Sequence, residues 1–327
     1  MMNILILALA LIGYVEGSND LYLFKTLKLS YNKTYGENED LHRQKVFINN
    51  FYELEEYEKY NYFNMTYSFN EFIFLEDDEF YDMYLKKKKF EQKRRGNLRI
   101  SHHKIYHNSN NENLPIKVDW RLFNILSPVV KQGEFNSSTQ LFIIELIETL
   151  YSYVKDLYIE LSVDELIDCV GVDDVNVNFN YIMQNGISFK EDYDVNYEKN
   201  YCNTAGEDYA VSIQDYHIIP ENNEKELMYI VSQHPVIVTI DASMPFFRFY
   251  KGGIIQYKQY PECGKELNHV VMLVGYGDEN GIPYWILKNS WGEDWGEDGY
   301  FRIERGVNAF NGGVCGILKR SYYPIIE

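Results

Sequence analysis

The chain has 327 residues, 46% of them hydrophobic and 24% charged, enough for two compact units with ordinary cores. Its net charge of −18 argues against a surface built to hold phosphate or nucleic acid. Residues 114–327 carry 16 Lys/Arg against 32 Asp/Glu, whereas residues 1–113 carry 15 against 17, so the texture of the chain changes near residue 114.

Residues 1–17 hold an apolar run, Ile4 to Ile12, too short to cross a bilayer and followed by small residues. This predicts a cleaved signal peptide, although no Lys or Arg precedes the run. A secreted or extracellular protein, or one in a lysosome-like compartment, meets oxidising conditions, so the four cysteines read as disulfides. No later segment is long enough to span a membrane. Residues 20–90 read as helical, with Arg43, Phe47, Asn50 and Leu54 on one face at three- and four-residue steps. A basic, Asn-rich stretch from Lys86 to Asn113 reads as an exposed linker, with residues 91–113 its core; its K-K-K-K and K-R-R runs could instead be a processing site. Residues 139–157 predict a buried helix. Strands follow at 236–240, 269–277 and 284–289, separated by turns such as Asp278-Glu279-Asn280-Gly281. Helices followed by strands predict an α+β fold with a cleft between the halves.

Five motifs occur in order: V-D-W-R at 118–121, K-Q-G at 131–133, L-S-V-D-E-L-I-D-C at 161–169, N-H-V-V-M-L-V-G-Y-G at 268–277 and K-N-S-W-G-E-D-W-G-E-D-G-Y-F at 288–301. Together they resemble the mature domain of the papain family of cysteine proteases, cathepsin L-like branch. Upstream, Glu39, Arg43, Phe47, Asn50 and Leu54, with Asn70 and Phe72, resemble the family's inhibitory propeptide. Glu58, Ser68 and Phe74 depart from its pattern. The resemblance implies a helical left domain and a β-barrel-like right domain over residues 114–327, preceded by the propeptide over 20–90.

Such a protease needs a thiolate, an imidazole, a group that orients the imidazole, and oxyanion donors. By resemblance, His269 is the imidazole, Asn289 its orienter, Trp291 the shielding indole and Gln132 the oxyanion donor. Asn268, Ala242 and Arg320 fall at the S2 pocket, where Arg320 either meets an acidic side chain, fills the pocket or reaches solvent. The nucleophile position departs from the family. It lies six residues after Gln132, in Q-G-E-F-N-S-S-T, and holds Ser138. Ser138 precedes His269 by 131 residues and Asn289 by 151. A hydroxyl cannot form the thiolate–imidazolium pair that makes the family's cysteine reactive.

Other positions depart with it. Thr139 replaces the Trp after the nucleophile and Asn136 a Gly. The Gly-Gly edge that pairs with substrate backbone is missing from V-G-V-D-D-V-N-V-N-F at 170–179. One family disulfide has lost both cysteines, and the resemblance pairs the remainder as Cys169–Cys202 and Cys263–Cys315. Sequons occur at Asn32, Asn64 and Asn136.

The expected function is a secreted, monomeric, non-catalytic pseudoprotease that binds protein or peptide ligands, cystatin-like inhibitors among them, without cofactor or metal. One alternative is a weak hydrolase using Ser138, His269 and Asn289, for which silicatein-like proteins give a precedent, though they keep more of the surrounding motif. The other is a propeptide that inhibits proteases in trans.

Overall fold

The computed structural model describes residues 18–59, 65–85, 114–132, 137–193, 202, 211–258, 263–307 and 312–326. The expected signal peptide, basic linker and sequons at Asn64 and Asn136 lie outside these residues. Asn32 is exposed in a turn.

Two helices lead the described chain, α1 (Ser18–Ser30) and α2 (Glu37–Lys59). The stripe read on α2 is buried at Phe47, Asn50 and Leu54. Phe24 and Phe74 pack edgewise and stacked around Phe47, at 5.7 and 5.9 Å between centroids. Asn50 is buried because its amide donates to the carbonyls of Ile73 and Leu75, each at 2.9 Å. These bonds hold the segment after α2 against the helix and satisfy backbone groups that burial would otherwise orphan. Arg43 clamps Glu79, its Nη2 lying 2.7 Å from Oε1. The region read as helical also contains a short strand, β1 (Thr66–Tyr67), then α3 (Asp77–Phe80), which runs into a wider turn at Tyr81–Leu85.

The rest has the papain-like α+β architecture. Strand β2 (Val118–Asp119) precedes α4 (Ser138–Lys155), α5 (Val163–Cys169) and α6 (Val175–Asn185). Then come β3 (Asp215–Ile219), α7 (Glu224–Gln233), β4 (Val236–Ile240), α8 (Phe246–Phe249), β5 (Tyr250–Gly252), β6 (Ile254–Ile255), β7 (His269–Glu279), β8 (Ile282–Lys288), β9 (Tyr300–Glu304) and β10 (Ser321–Ile325). The main sheet runs β3-β10-β4-β7-β8-β9-β6, with β2 added on β7. Its pairings are antiparallel except β6 with β9. At the β2 crossing, a Cβ on Gly275 would lie 2.3 Å from the Val118 carbonyl oxygen, so only glycine lets β2 approach.

Every residue of α4 from Ser138 to Leu150 is buried, so the helix lies inside the protein rather than on it. That burial explains its near-continuous apolar sequence. Strand β7 is likewise buried from His269 to Gly277 and reads as an unbroken apolar run instead of an alternating one. Disulfides join Cys169 to Cys202 and Cys263 to Cys315.

Two buried carboxylates sit one turn apart on α4. Glu145 pairs with Lys288 at the end of β8, Oε2 to Nζ 2.7 Å, and both side chains are at most 5% exposed. Lys288 also donates to the carbonyls of Ser127 and Pro128 at 2.7 and 3.0 Å. Glu148 accepts the Leu161 amide at 2.7 Å, and burial pushes its carboxyl up to about 7, with Glu145 adding to the shift. Folded Glu148 therefore keeps its proton to about pH 7, while the unfolded chain releases it near 4.5. Its contribution to stability is full below pH 4.5 and is lost as pH rises through 7. Glu148→Gln removes that loss, so its stability relative to wild type should rise by about 3 kcal/mol between pH 4.5 and pH 7. Urea unfolding at both pH values checks this, and a pH-independent difference contradicts it.

Candidate active site

The nucleophile position is the first residue of α4. Ser138 is buried there, at the positive end of an 18-residue helix, a place that favours an anion. Its Oγ accepts the Val270 amide at 3.3 Å. His269 opens β7, and its Nε2 lies 2.8 Å from Asn289 Oδ1, just past the end of β8. The β7–β8 pairing thus brings together residues 20 apart in sequence. With Nε2 held by an amide oxygen, that nitrogen carries the proton and Nδ1 is the free base. Among the described residues Nδ1 has no hydrogen-bond partner, so the imidazole is not bonded to Ser138. Burial depresses His269 to about 4, opposed by the Asn289 bond, and the ring is neutral at rest.

Trp291 lies over the imidazole, centroids 5.0 Å apart. The propeptide in turn covers Trp291: Phe72, Phe80 and Tyr84 approach it edgewise at 5.9, 5.1 and 6.3 Å. Gln132 is fixed at both ends. Its Oε1 accepts the Ser290 hydroxyl at 2.5 Å, and its Nε2 donates to the Tyr84 carbonyl at 3.1 Å. The donor expected to serve an oxyanion is therefore occupied by the propeptide backbone.

The remaining predicted positions fall as follows. Asn268 is buried, accepting the Ala242 amide at 2.9 Å and donating to Ser243 Oγ at 2.6 Å, which ties it to the segment after β4. Arg320 is exposed just before β10, and its carbonyl accepts the Thr239 amide at 3.0 Å. Thr139, in place of the family's Trp, is buried on α4. On the altered edge, the Val172 carbonyl accepts side-chain amides from Gln140 and Asn178 at 2.9 and 2.8 Å. Its lone pairs are engaged inside the protein. Sequence reasoning missed Tyr84, Ser290 and the Glu145–Lys288 pair. Phe80 and Tyr84 stand four apart, a helical spacing that could have marked them as one face. Among the described residues no three metal-ligating side chains cluster, and no helix is long and apolar enough to cross a membrane.

A helix N-terminus and a strand-borne His–Asn pair meeting across a cleft define a papain-type cysteine protease site, here under its propeptide. The profile of the papain family cysteine proteases matches residues 114–325, and the chain belongs to that family. It is 36% identical over 230 residues to cysteine endopeptidase RepA of Oryza sativa, a match covering 67% of this chain and 60% of that protein. With fruit bromelain of Ananas comosus it shares 30% identity over 314 residues, 93% of this chain and 86% of that one. Among solved structures, the recombinant stem bromelain precursor superposes with a TM-score of 0.81 at 29% identity, covering 95% of this chain and all of the other. Digestive procathepsin L 3 of Tenebrio molitor gives 0.78 at 30% identity, covering 94% of this chain and all of the other. The fold is thus that of a proenzyme, propeptide included.

Proposed function

We propose that the processed domain holds protein or peptide ligands, cystatin-like inhibitors among them, in its cleft without cleaving them. The observation that carries this reading is a hydroxyl, Ser138, where the family's chemistry needs a thiolate, beside a neutral imidazole to which it is not hydrogen-bonded. A general base works best with a pKa near the working pH, and His269, lowered by burial in the proprotein, takes a serine proton poorly there. By resemblance, the missing glycine edge removes backbone groups that would align a scissile bond, and in its segment the Val172 carbonyl is taken up by Gln140 and Asn178.

A second reading has its own support. The relatives' names are those of cysteine proteases, and they favour a hydrolase over a pseudoprotease. The 2.8 Å His269–Asn289 bond keeps half of the machinery in place. In that reading Ser138 attacks, His269 Nδ1 takes its proton, and Gln132 steadies the oxyanion once Tyr84 has left.

Residues 1–17 direct the chain to the secretory pathway, consistent with its disulfides, and the basic stretch 86–113 is where a second protease severs the propeptide. A chain that cannot hydrolyse peptides cannot mature itself. Purified full-length protein, incubated from pH 4 to pH 7, should keep its intact mass, and added trypsin-like protease should cut within 86–113. Spontaneous cleavage that His269→Ala abolishes would sink the pseudoprotease reading and leave the hydrolase.

A further inference from the structure

Among the described residues from 114 onward, Arg248, on α8, is a guanidinium whose side-chain polar contacts all come from the propeptide segment. It is 1% exposed. Its Nη2 pairs with Asp77 Oδ1 at 2.6 Å and, at 3.5 Å, with Glu53 Oε2. Its Nη1 donates to the Leu75 carbonyl at 3.0 Å. Its Nε, also buried, has no partner among the described residues. The guanidinium lies 5.8 Å from the Phe80 ring and 4.9 Å from Phe249. Beside it a cavity of about 190 Å³ separates Asp77, Tyr81 and Leu85 from Ser243, Met244 and Arg248.

A buried guanidinium tolerates its setting only when paired. Here the partners are supplied by the propeptide segment, so the domain left by the cleavage proposed above presents an uncompensated cation flanked by Phe249 and Met244. The domain around it has a net charge of −16 over residues 114–327, counting 16 Lys/Arg and 32 Asp/Glu. An acidic ligand is therefore repelled by most of this surface and attracted at this spot. The occupant in cis shows the matching chemistry: Asp77-Asp78-Glu79-Phe80, carboxylates followed by an aromatic ring.

We propose that the Arg248 face is a docking surface for an acidic–aromatic peptide segment of a partner chain, filled in the proprotein by Asp77–Phe80. Carboxylate and ring are both required, since the guanidinium takes one as ion pair and packs against the other. The site holds whether or not Ser138 turns over peptide.

The test uses the full chain carrying Asp77→Asn and Asp78→Asn, two exposed positions, which weakens the hold of the cis segment on Arg248 so that an added peptide competes for it. The ligand is a fluorescent synthetic peptide copying residues 75–85, beside a twin with Asn, Asn and Gln at 77, 78 and 79. Anisotropy should show the acidic peptide binding at least fivefold more tightly than its neutral twin, with the gap narrowing as salt rises. Arg248→Met in the same chain should erase the difference while leaving residual binding through Tyr84 and Phe80. Equal binding of the twins, a preference that survives Arg248→Met, or no binding of either peptide overturns the proposal.

Discussion

Ser138→Cys should convert the processed protein from one that iodoacetamide ignores at residue 138 into one that is alkylated there with a midpoint well below the ordinary thiol value of about 8.5. Two features set the direction. The residue is the first of a long helix, where the dipole favours a thiolate. His269, oriented by Asn289, stands ready to hold the proton. In Ser138→Cys/His269→Ala the midpoint should climb back toward 8.5, because only the helix remains. Peptide hydrolysis should appear with the cysteine, on the order of 100-fold above the wild-type background, and stay below the about 10⁴ M⁻¹s⁻¹ that marks ordinary enzymes in kcat/KM. The shortfall follows from Thr139 and the occupied Val172 carbonyl, which one substitution does not restore. Full family-level activity from the single change would show that these neighbouring losses do not matter.

The second large effect concerns the fold around the site. Lys288→Met should destabilise the protein by about 3–5 kcal/mol, since it leaves Glu145 buried beside Glu148 without the cation that lets it ionise. Burial already pushes Glu145 up, and Lys288 is what pulls it back. Glu145→Leu combined with Lys288→Met should recover much of the loss, though the carbonyls of Ser127 and Pro128 stay without their donor. Chemical denaturation of the three variants measures this. A change below about 1 kcal/mol for Lys288→Met would mean that water reaches the pair. The pair also ties the helix of Ser138 to the strand that ends one residue before Asn289, so the single variant should loosen the His269–Asn289 geometry as well.

How much of this was legible beforehand differs by level. Motif spacing located Ser138, His269, Asn289 and Gln132, and the structure brings their elements to one cleft because β7 and β8 pair and α4 is buried beneath them. The α2 stripe was legible because a helix with one buried face repeats at three and four residues. What stayed hidden depends on long-range pairing. Nothing local in Glu145 or Lys288 says that residues 143 apart share one proton-bearing contact. Tyr84 acts on Gln132 through its backbone carbonyl, and side-chain patterns carry no trace of that. Arg248 lay in an apolar stretch, F-F-R-F, and its partners stand in a segment more than 170 residues earlier.

The central claim is that a family member with its propeptide, helix and His–Asn pair in place lacks a working nucleophile. The most direct measurement is turnover of a fluorogenic peptide panel by the wild-type protein after its propeptide has been cut and removed. The account predicts no product above that of Ser138→Ala, with peptide binding still detectable. Turnover that both Ser138→Ala and His269→Ala abolish would contradict it and make this chain a serine-dependent peptidase on a papain fold.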